Sequence, residues 1–429
     1  MQNLDPALSS PVRRSIAILV LISAGEAIFF LPFVIARVFR PTLLDVFELT
    51  NLELGLATSV YGVVAMLAYF PGGPLADRFA PRKLMAFALV ATSIGGLVMA
   101  SIPSLPVLKL LYGFWGVTTI LLFWSPLIRA TRQWGGSKLP GRAFGFLDGG
   151  RGLMAATVGS ISVAVFAAVL PDDVDTATPQ QHEEAFRQVI LVFTSVTFAA
   201  SLVVWFGLSR HEEQLERSNS PLQLDGIGRV LQMPTVWLQA VVVVCAYVGY
   251  KALDDISLYA HVALDFDEVE AARVSTVSMW VRPPAAIAAG LIADRFGVTR
   301  ATIVSFIVLG IASSVIAMGV LGPGMMVAFI TTLIATSAAL FALRGLYFAI
   351  MEEGRVPFGD TGTAVGIVSV VGYTPDIFMG PLMGVLLDRS PGALGHQHVF
   401  AVVTAFALVG LLASVIFRRI MRRRLNKPI

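Results

Sequence analysis

Long apolar runs alternate with short polar segments along almost the whole of the 429-residue chain. A helix that crosses a bilayer needs about 20 apolar residues. The runs predict twelve such spans, over 15–39, 53–75, 84–102, 106–128, 143–170, 186–208, 234–259, 271–293, 299–321, 324–350, 361–387 and 398–418. They are apolar all round rather than along one stripe, which is what helices facing lipid require. Six spans precede a charged linker and six follow it. The predicted organisation is an N-terminal half over 1–208, a linker over 209–233, a C-terminal half over 234–418 and a basic tail over 419–429.

One polar stretch occurs twice. Gly73-Pro74-Leu75-Ala76-Asp77-Arg78-Phe79-Ala80-Pro81 follows the second span, and Gly290-Leu291-Ile292-Ala293-Asp294-Arg295-Phe296-Gly297 follows the eighth. Both contain Ala-Asp-Arg-Phe, with the two aspartates 294 − 77 = 217 positions apart. Such an echo at half the chain length marks an internal repeat. Gly73 and Gly290 are expected to let helices approach closely, while Asp77 with Arg78, and Asp294 with Arg295, form charged clasps at the membrane edge.

Composition agrees with a membrane protein: 56% of residues are hydrophobic and 14% charged, and the mean hydropathy is +0.78. The net charge of +3 is small and sits in loops and tail, which argues against a nucleic-acid surface. Arg13, Arg14, Arg78, Arg82, Lys83, Arg132, Lys138, Arg142, the linker and the tail fall on one side if the spans alternate, and acidic loops such as Asp172 to Glu184 fall on the other. By the excess of basic residues in cytoplasmic loops, both termini are expected in the cytoplasm. Cys245 is the only cysteine, so no intrachain disulfide forms, and no Asn-x-Ser/Thr sequon occurs, which favours a bacterial inner membrane. The first run is too long, and interrupted by Glu26, for a cleavable signal.

A charge within a membrane span costs roughly 2.5–3.5 kcal/mol on insertion scales and calls for a reason. Glu26, the only acid in span 1, is a candidate proton carrier or counter-ion. Asp148 and Arg151 lie one turn apart in span 5 and can pair with each other as a structural clip; Arg151 is deeper and the better ligand candidate. Span 7 holds Tyr247, Tyr250 and Lys251, an anion-contacting set, with Asp254 and Asp255 near its outer end and at least one of them expected in solvent. Arg282 stands mid-span beside Trp280, Pro283 and Pro284, and is the leading candidate substrate ligand. Asp376 follows Pro375 and is placed to answer Arg282 or Lys251 electrostatically or to carry a coupling proton, and Asp148 joins Glu26 and Asp376 as a candidate proton-coupling or counter-ion residue. Arg129 and Arg344, 215 residues apart, lie near the cytoplasmic ends of spans 4 and 10, as snorkelling or gating residues.

The five histidines show no metal-ligand spacing, and neither cofactor motif nor catalytic constellation stands out, so no metal, no cofactor and no enzyme activity is expected. The span count, the linker, the orientation and the repeated loop resemble the major facilitator superfamily (MFS) of secondary transporters. That resemblance implies an all-α membrane protein with two pseudo-symmetric six-helix bundles that rock about a site near mid-membrane. The first loop departs from the family pattern at Ala80-Pro81, where Gly-Arg is common; span 4 offers only Lys109 before Gly113 where many members have Arg, and the Gly-Pro motif typical of drug exporters in span 5 is missing. Trp124-Ser125-Pro126 with Arg129 and Trp134, and Gly362-Thr363-Ala364-Val365-Gly366 with Gly372-Tyr373, resemble the organophosphate and organic-anion branch with its uncharacterised bacterial relatives. The sugar-phosphate members use an arginine in span 1; here that span shows only Glu26 at mid-depth. The expected function is transport of a small organic anion (carboxylate, sulfonate or phosphate ester), as symporter or antiporter, by a monomer, with a proton as the expected coupling ion. A proton-driven exporter of neutral or amphipathic compounds and a transport-dead membrane sensor remain as alternatives.

Overall fold

The computed structural model describes residues 11–135, 140–208, 225–354 and 361–425. The described residues contain helices and no strand. In chain order they are α1 (Pro11–Ala27), α2 (Ile35–Val38), α3 (Arg40–Val46), α4 (Asn51–Arg78), α5 (Pro81–Ala100), α6 (Leu105–Gly116), α7 (Ser125–Gly135), α8 (Pro140–Val169) and α9 (Pro179–Gly207). After the linker come α10 (Asp225–Leu231), α11 (Pro234–Ala252), α12 (Ile256–Leu264), α13 (Glu268–Phe296), α14 (Val298–Ala317), α15 (Met326–Leu346), α16 (Ile350–Glu353), α17 (Thr361–Gly372), α18 (Pro375–Arg389) and α19 (Ala393–Leu425). Among the described residues eleven helical stretches are long and apolar enough to cross a membrane, and the bent pair formed by α1 and residues 30–38, taken as one span, makes a twelfth. An even number of crossings returns the chain to the face it started from, the terminal face; the opposite one is the far face. Large side chains such as Leu110, Phe206 and Val327 stand exposed on the outside, where hydrocarbon would surround them.

Several spans are interrupted, and prolines accompany all but one of the interruptions named here. Pro32 lies in a π-helical turn, Phe30–Val34, where span 1 bends by 41° between α1 and α2. A second π-helical stretch, Val117–Trp124, joins α6 to α7 just before Pro126. A tight turn, Leu253–Asp255, separates α11 from α12, and Pro375 opens α18 after α17 stops at Gly372. Proline lacks the N–H that would continue the hydrogen-bond ladder, and π-turns gather at functional sites. The α-helix is thus interrupted within spans 1, 4, 7 and 11, though only span 1 bends by more than 40°, and Phe33, Ile120, Trp124, Tyr373 and Asp376 at or beside these interruptions line the cavity described below.

Two large apolar cores form among the described residues, one built mainly by residues 20–208 and the other by residues 230–417, with a small third cluster of Ala289, Ala293, Ala301 and Leu346. Between the two large cores the seam is tight at the far end. A Cβ on Gly55 would lie 2.3 Å from the Gly380 carbonyl oxygen, and one on Gly62 2.5 Å from the Asp376 backbone, so α4 and α18 cross backbone to backbone. Asp388 locks that crossing: its carboxylate accepts hydrogen bonds from Asn51 N–H and Leu52 N–H at 3.1 and 2.8 Å, capping α4 from the other half. Nearby, Glu268 accepts from the Thr42 hydroxyl at 2.7 Å and faces His182 at 3.9 Å, with Asp45 beside them. Toward the terminal face the halves part, and Gly73, Gly145, Gly149 and Gly366 have no neighbour within 4 Å of an added Cβ. The molecule is closed at the far end and open at the terminal end.

The repeated loops differ from expectation. Gly73 and Gly290 meet open space and mediate no close approach. Asp294 and Arg295 are exposed, and Arg295 lies over its neighbour Phe296 at 5.4 Å; among the described residues neither makes an ion pair. Arg78 is exposed as well, and the Asp77 side chain lies outside the described residues. The conformational need sits elsewhere: Gly297 turns at φ +91°, a region disfavoured for residues with a Cβ, whereas Ala80 makes the equivalent turn at φ −61° and needs no glycine. Glu353 caps α14 behind the second loop, accepting from Val298 N–H at 2.7 Å and from the Thr299 hydroxyl. Residues 209–224 of the expected linker and 426–429 of the tail lie outside the described residues. Within those two segments, 225–231 are helical and α19 runs on to Leu425.

Candidate functional site

The interrupted spans surround an open cavity between the two cores, with room of about 100 Å³ for the centres of water-sized molecules. Its wall carries five cations, Arg37, Arg151, Lys251, Arg282 and Arg344, among aromatic side chains that include Phe33, Tyr61, Trp124, Tyr247, Tyr250 and Tyr373. Four carboxylates answer them, Glu26 and Asp376 on the wall and Asp148 and Asp254 just behind it.

The charges fall into two groups. In the first, Glu26 is shared: one oxygen lies 3.0 Å from Arg151 Nε and the other 3.5 Å from Arg282 Nη1. Asp148 reaches Arg282 Nη2 at 2.6 Å. Asp148 and Arg151 therefore do not pair with each other, although their spacing allows it; α8 turns one to α13 and the other to α1. Gly152 makes room for this, since a Cβ there would lie 2.9 Å from the Arg282 side chain. Arg282 projects from α13 beside Pro283 and Pro284, and its charge already faces two carboxylates.

The second group centres on the turn after α11. Asp254 binds Arg37 Nε at 2.6 Å and Lys251 Nζ at 3.0 Å. Lys251 also approaches Asp376 at 3.7 Å, and the Tyr247 hydroxyl donates to the same carboxylate at 3.1 Å. Arg37 gives a further hydrogen bond to the Tyr250 hydroxyl, 3.1 Å away. The Ser257 and Ser275 hydroxyls donate to the Arg37 carbonyl at 2.9 and 3.0 Å, so span 1 is tied across the seam. Asp254 is thus a buried partner of two cations and not a solvated end residue. Reading span 1 as one straight helix also misses Arg37. The kink at Pro32 turns it onto the cavity wall from beyond the midpoint, where a straight-helix count places it at the edge.

Arg344 differs from the other four. Its guanidinium lies 3.8 Å from the Tyr250 ring centre and 5.8 Å from that of Tyr247, both cation–π contacts. Among the described residues no carboxylate lies within ion-pair distance of it, and its Nη1 is buried with no hydrogen-bond partner. Arg37 Nη2 and Arg282 Nε are also buried and unpartnered. With every one of these groups ionised, five cations face four carboxylates, and the one left over is Arg344. Depth along span 10 puts it at the cytoplasmic end as a snorkelling or gating residue; the opening of the cavity on the terminal side brings the wall down to it.

Other expected site residues take different places. Trp280 lies outside the cavity, 45% exposed, and donates to the Ser160 hydroxyl at 3.1 Å, tying α13 to α8. Arg129 donates to the Ala76 carbonyl at 2.6 Å and so holds α7 against the last turn of α4. Tyr247, Tyr250, Lys251, Arg151, Arg282, Glu26 and Asp376 all line the cavity.

The family model described as Major Facilitator Superfamily matches residues 17–378 of this chain. The chain is 28% identical over 379 residues to the inner membrane protein YqcE of Escherichia coli (strain K12), a match covering 86% of this chain and 87% of that protein. A second inner membrane protein of the same organism, YihN, is 24% identical over 402 residues, covering 89% and 90%. Among solved structures, a mutant of the nucleoside transporter NupG superposes with a TM-score of 0.72 at 12% identity, covering 94% of this chain and 99% of that one. A bacterial homologue of the human lysosomal transporter Spinster, inward-facing and unoccupied, gives 0.71 at 16% identity, covering 96% and 99%.

Proposed function

Because the chain belongs to the Major Facilitator Superfamily, we propose that it carries a small organic anion across the membrane by alternating access. The observation that carries this reading is Arg344, a buried guanidinium in the central cavity with no carboxylate to face among the described residues. A guanidinium does not shed its proton in proteins. Its missing partner is then best supplied by the cargo: a carboxylate, sulfonate or phosphate ester. At about 4 Å, and an effective dielectric constant of about 20, such a pair gains on the order of 4 kcal/mol before desolvation. Arg37 Nη2 and Arg282 Nε offer further unmet donors, and the aromatic wall offers faces for the organic part of the cargo.

In this reading Glu26 and Asp376 are counter-ions. Each lies within 4.0 Å of a cation, Glu26 of two. Arg151, Lys251 and Arg282 form the charged frame around Arg344 rather than the primary anchor. The basic loops put the terminal face in the cytoplasm of a bacterial inner membrane, so the structure would be inward-open, with α4, α18 and Asp388 as the closed outer gate. The exporter of neutral compounds finds support only in the aromatic wall, and it leaves Arg344 without a role. The nucleoside named for one structural neighbour is not carried over, since 12% identity speaks for the fold alone.

The test is thermal unfolding of detergent-purified protein against a panel of anionic, neutral and cationic metabolites. Ligands that bind only the folded state raise its stability. Anions are expected to stabilise wild-type protein and to stabilise Arg344→Gln far less. Stabilisation only by neutral or cationic compounds would overturn the reading.

A further inference from the structure

One buried acid stands apart from the cavity and faces no lysine or arginine at all among the described residues. Asp255 ends the turn between α11 and α12, and its side chain is fully buried. Its Oδ2 lies 2.7 Å from His396 Nδ1, in the first turn of α19, and the His396 side chain is only 2% exposed. The other carboxylate oxygen, Oδ1, is buried with no hydrogen-bond partner. By contrast Glu26, Asp148, Asp254 and Asp376 all have a cation within 4.0 Å. The groups around the pair do not alter this. Arg37 on α2 and Lys251 on α11 bind the neighbouring Asp254 instead, Tyr259 on α12 packs its ring against His396 at 5.4 Å, and Phe329 on α15 lies behind Tyr259. On α19 itself His398 is exposed.

We infer that Asp255 and His396 form a proton-binding site that controls the far-end gate. A buried carboxylate with one oxygen unpartnered and no cation nearby is poorly solvated when charged, and a single proton held between Oδ2 and Nδ1 makes the pair neutral. The link to the gate is one peptide bond long. Asp254, the next residue back, holds Arg37 across the seam at 2.6 Å. A charged Asp255 seeks water, shifts the short Leu253–Asp255 turn and loosens the Arg37 contact. The protonated pair fits the closed far end seen here. Loading the proton closes the far end, and losing it allows that end to open. The site is independent of which cargo the cavity takes.

Two measurements on the full chain, neither needing cargo, test this. Infrared difference spectra between mildly acidic and mildly alkaline buffer should show a carboxylic-acid band that is lost in Asp255→Asn and moved in midpoint in His396→Gln. Spin labels at Glu48 and Arg389, exposed on opposite halves at the far end, should move apart as the pH rises in wild-type protein and stay close at every pH in Asp255→Asn. Should that variant not fold, the shifted midpoint in His396→Gln carries the test. An Asp255→Asn protein that keeps the wild-type band and pH response, or wild-type labels indifferent to pH, would overturn the proposal. Neither result bears on Arg344, whose role is read from anion binding.

Discussion

Arg282 and Arg344 line the same cavity, both buried, yet they stand in opposite electrostatic settings. Arg282 faces Glu26 at 3.5 Å and Asp148 at 2.6 Å, both from the other half of the molecule. Arg344 lies over two tyrosine rings, and among the described residues no carboxylate is within 4.0 Å of it. The first is held by the protein's own anions and helps tie α13 to α8; the second keeps a buried donor with no hydrogen-bond partner. A buried charge is thus no site by itself. What distinguishes the two is whether the protein has already supplied the partner.

The sharpest way to break this comparison is to remove Arg282. Arg282→Gln strands Asp148 and leaves Glu26 with Arg151 alone. Breaking a buried pair costs about 3–5 kcal/mol, and the effect should fall at the low end because the Asp148 side chain is 38% exposed and regains water. A large drop in melting temperature without any ligand is the expected result. Arg344→Gln, having no pair to break, should leave the ligand-free melting temperature close to wild type. In wild-type protein an anion at about one hundred times its Kd should add about 2.7 kcal/mol, and at the same concentration that gain should fall to about 0.4–1.4 kcal/mol in the variant. Equal ligand-free losses in both variants would erase the distinction.

Smaller effects sharpen the picture at the seam. Asp388→Ala removes the cap that reaches from one half to the amino end of α4, worth about 1 kcal/mol for typical caps. A cysteine placed at Thr58 should then react faster with a membrane-impermeant thiol reagent from the far side. Smallest of all, Gly297→Ala should cost about 1 kcal/mol because a Cβ is forced to φ +91°. Ala80→Gly, at the matching turn of the first repeat, should gain nothing in stability.

Much of the fold was legible in the sequence because lipid imposes a crude rule: about 20 apolar residues, then a polar break. The doubled Ala-Asp-Arg-Phe loop revealed the two halves for the same reason, since each copy ends a span. The interior was legible only in part. Arg37 stands near the end of an apolar run, and nothing in its neighbours says that a π-turn at Pro32 swings it over the cavity. Arg344 was read from its depth along a span, but depth does not tell that the halves part on that side. Asp148 and Arg151 have the spacing of a helix pair, yet each finds a better partner on another helix. Pairings such as Asp255 with His396, 141 residues apart, exist only once α19 packs against the turn after α11.

The central claim is that Arg344 is the cation the cargo completes. Titration calorimetry with an anion found in the stability panel, on wild-type protein and Arg344→Gln, tests it most directly. A charged hydrogen bond contributes about 1.5–3 kcal/mol, so Kd should rise by about ten- to one-hundred-fold in the variant. A Kd unchanged in Arg344→Gln would contradict the account.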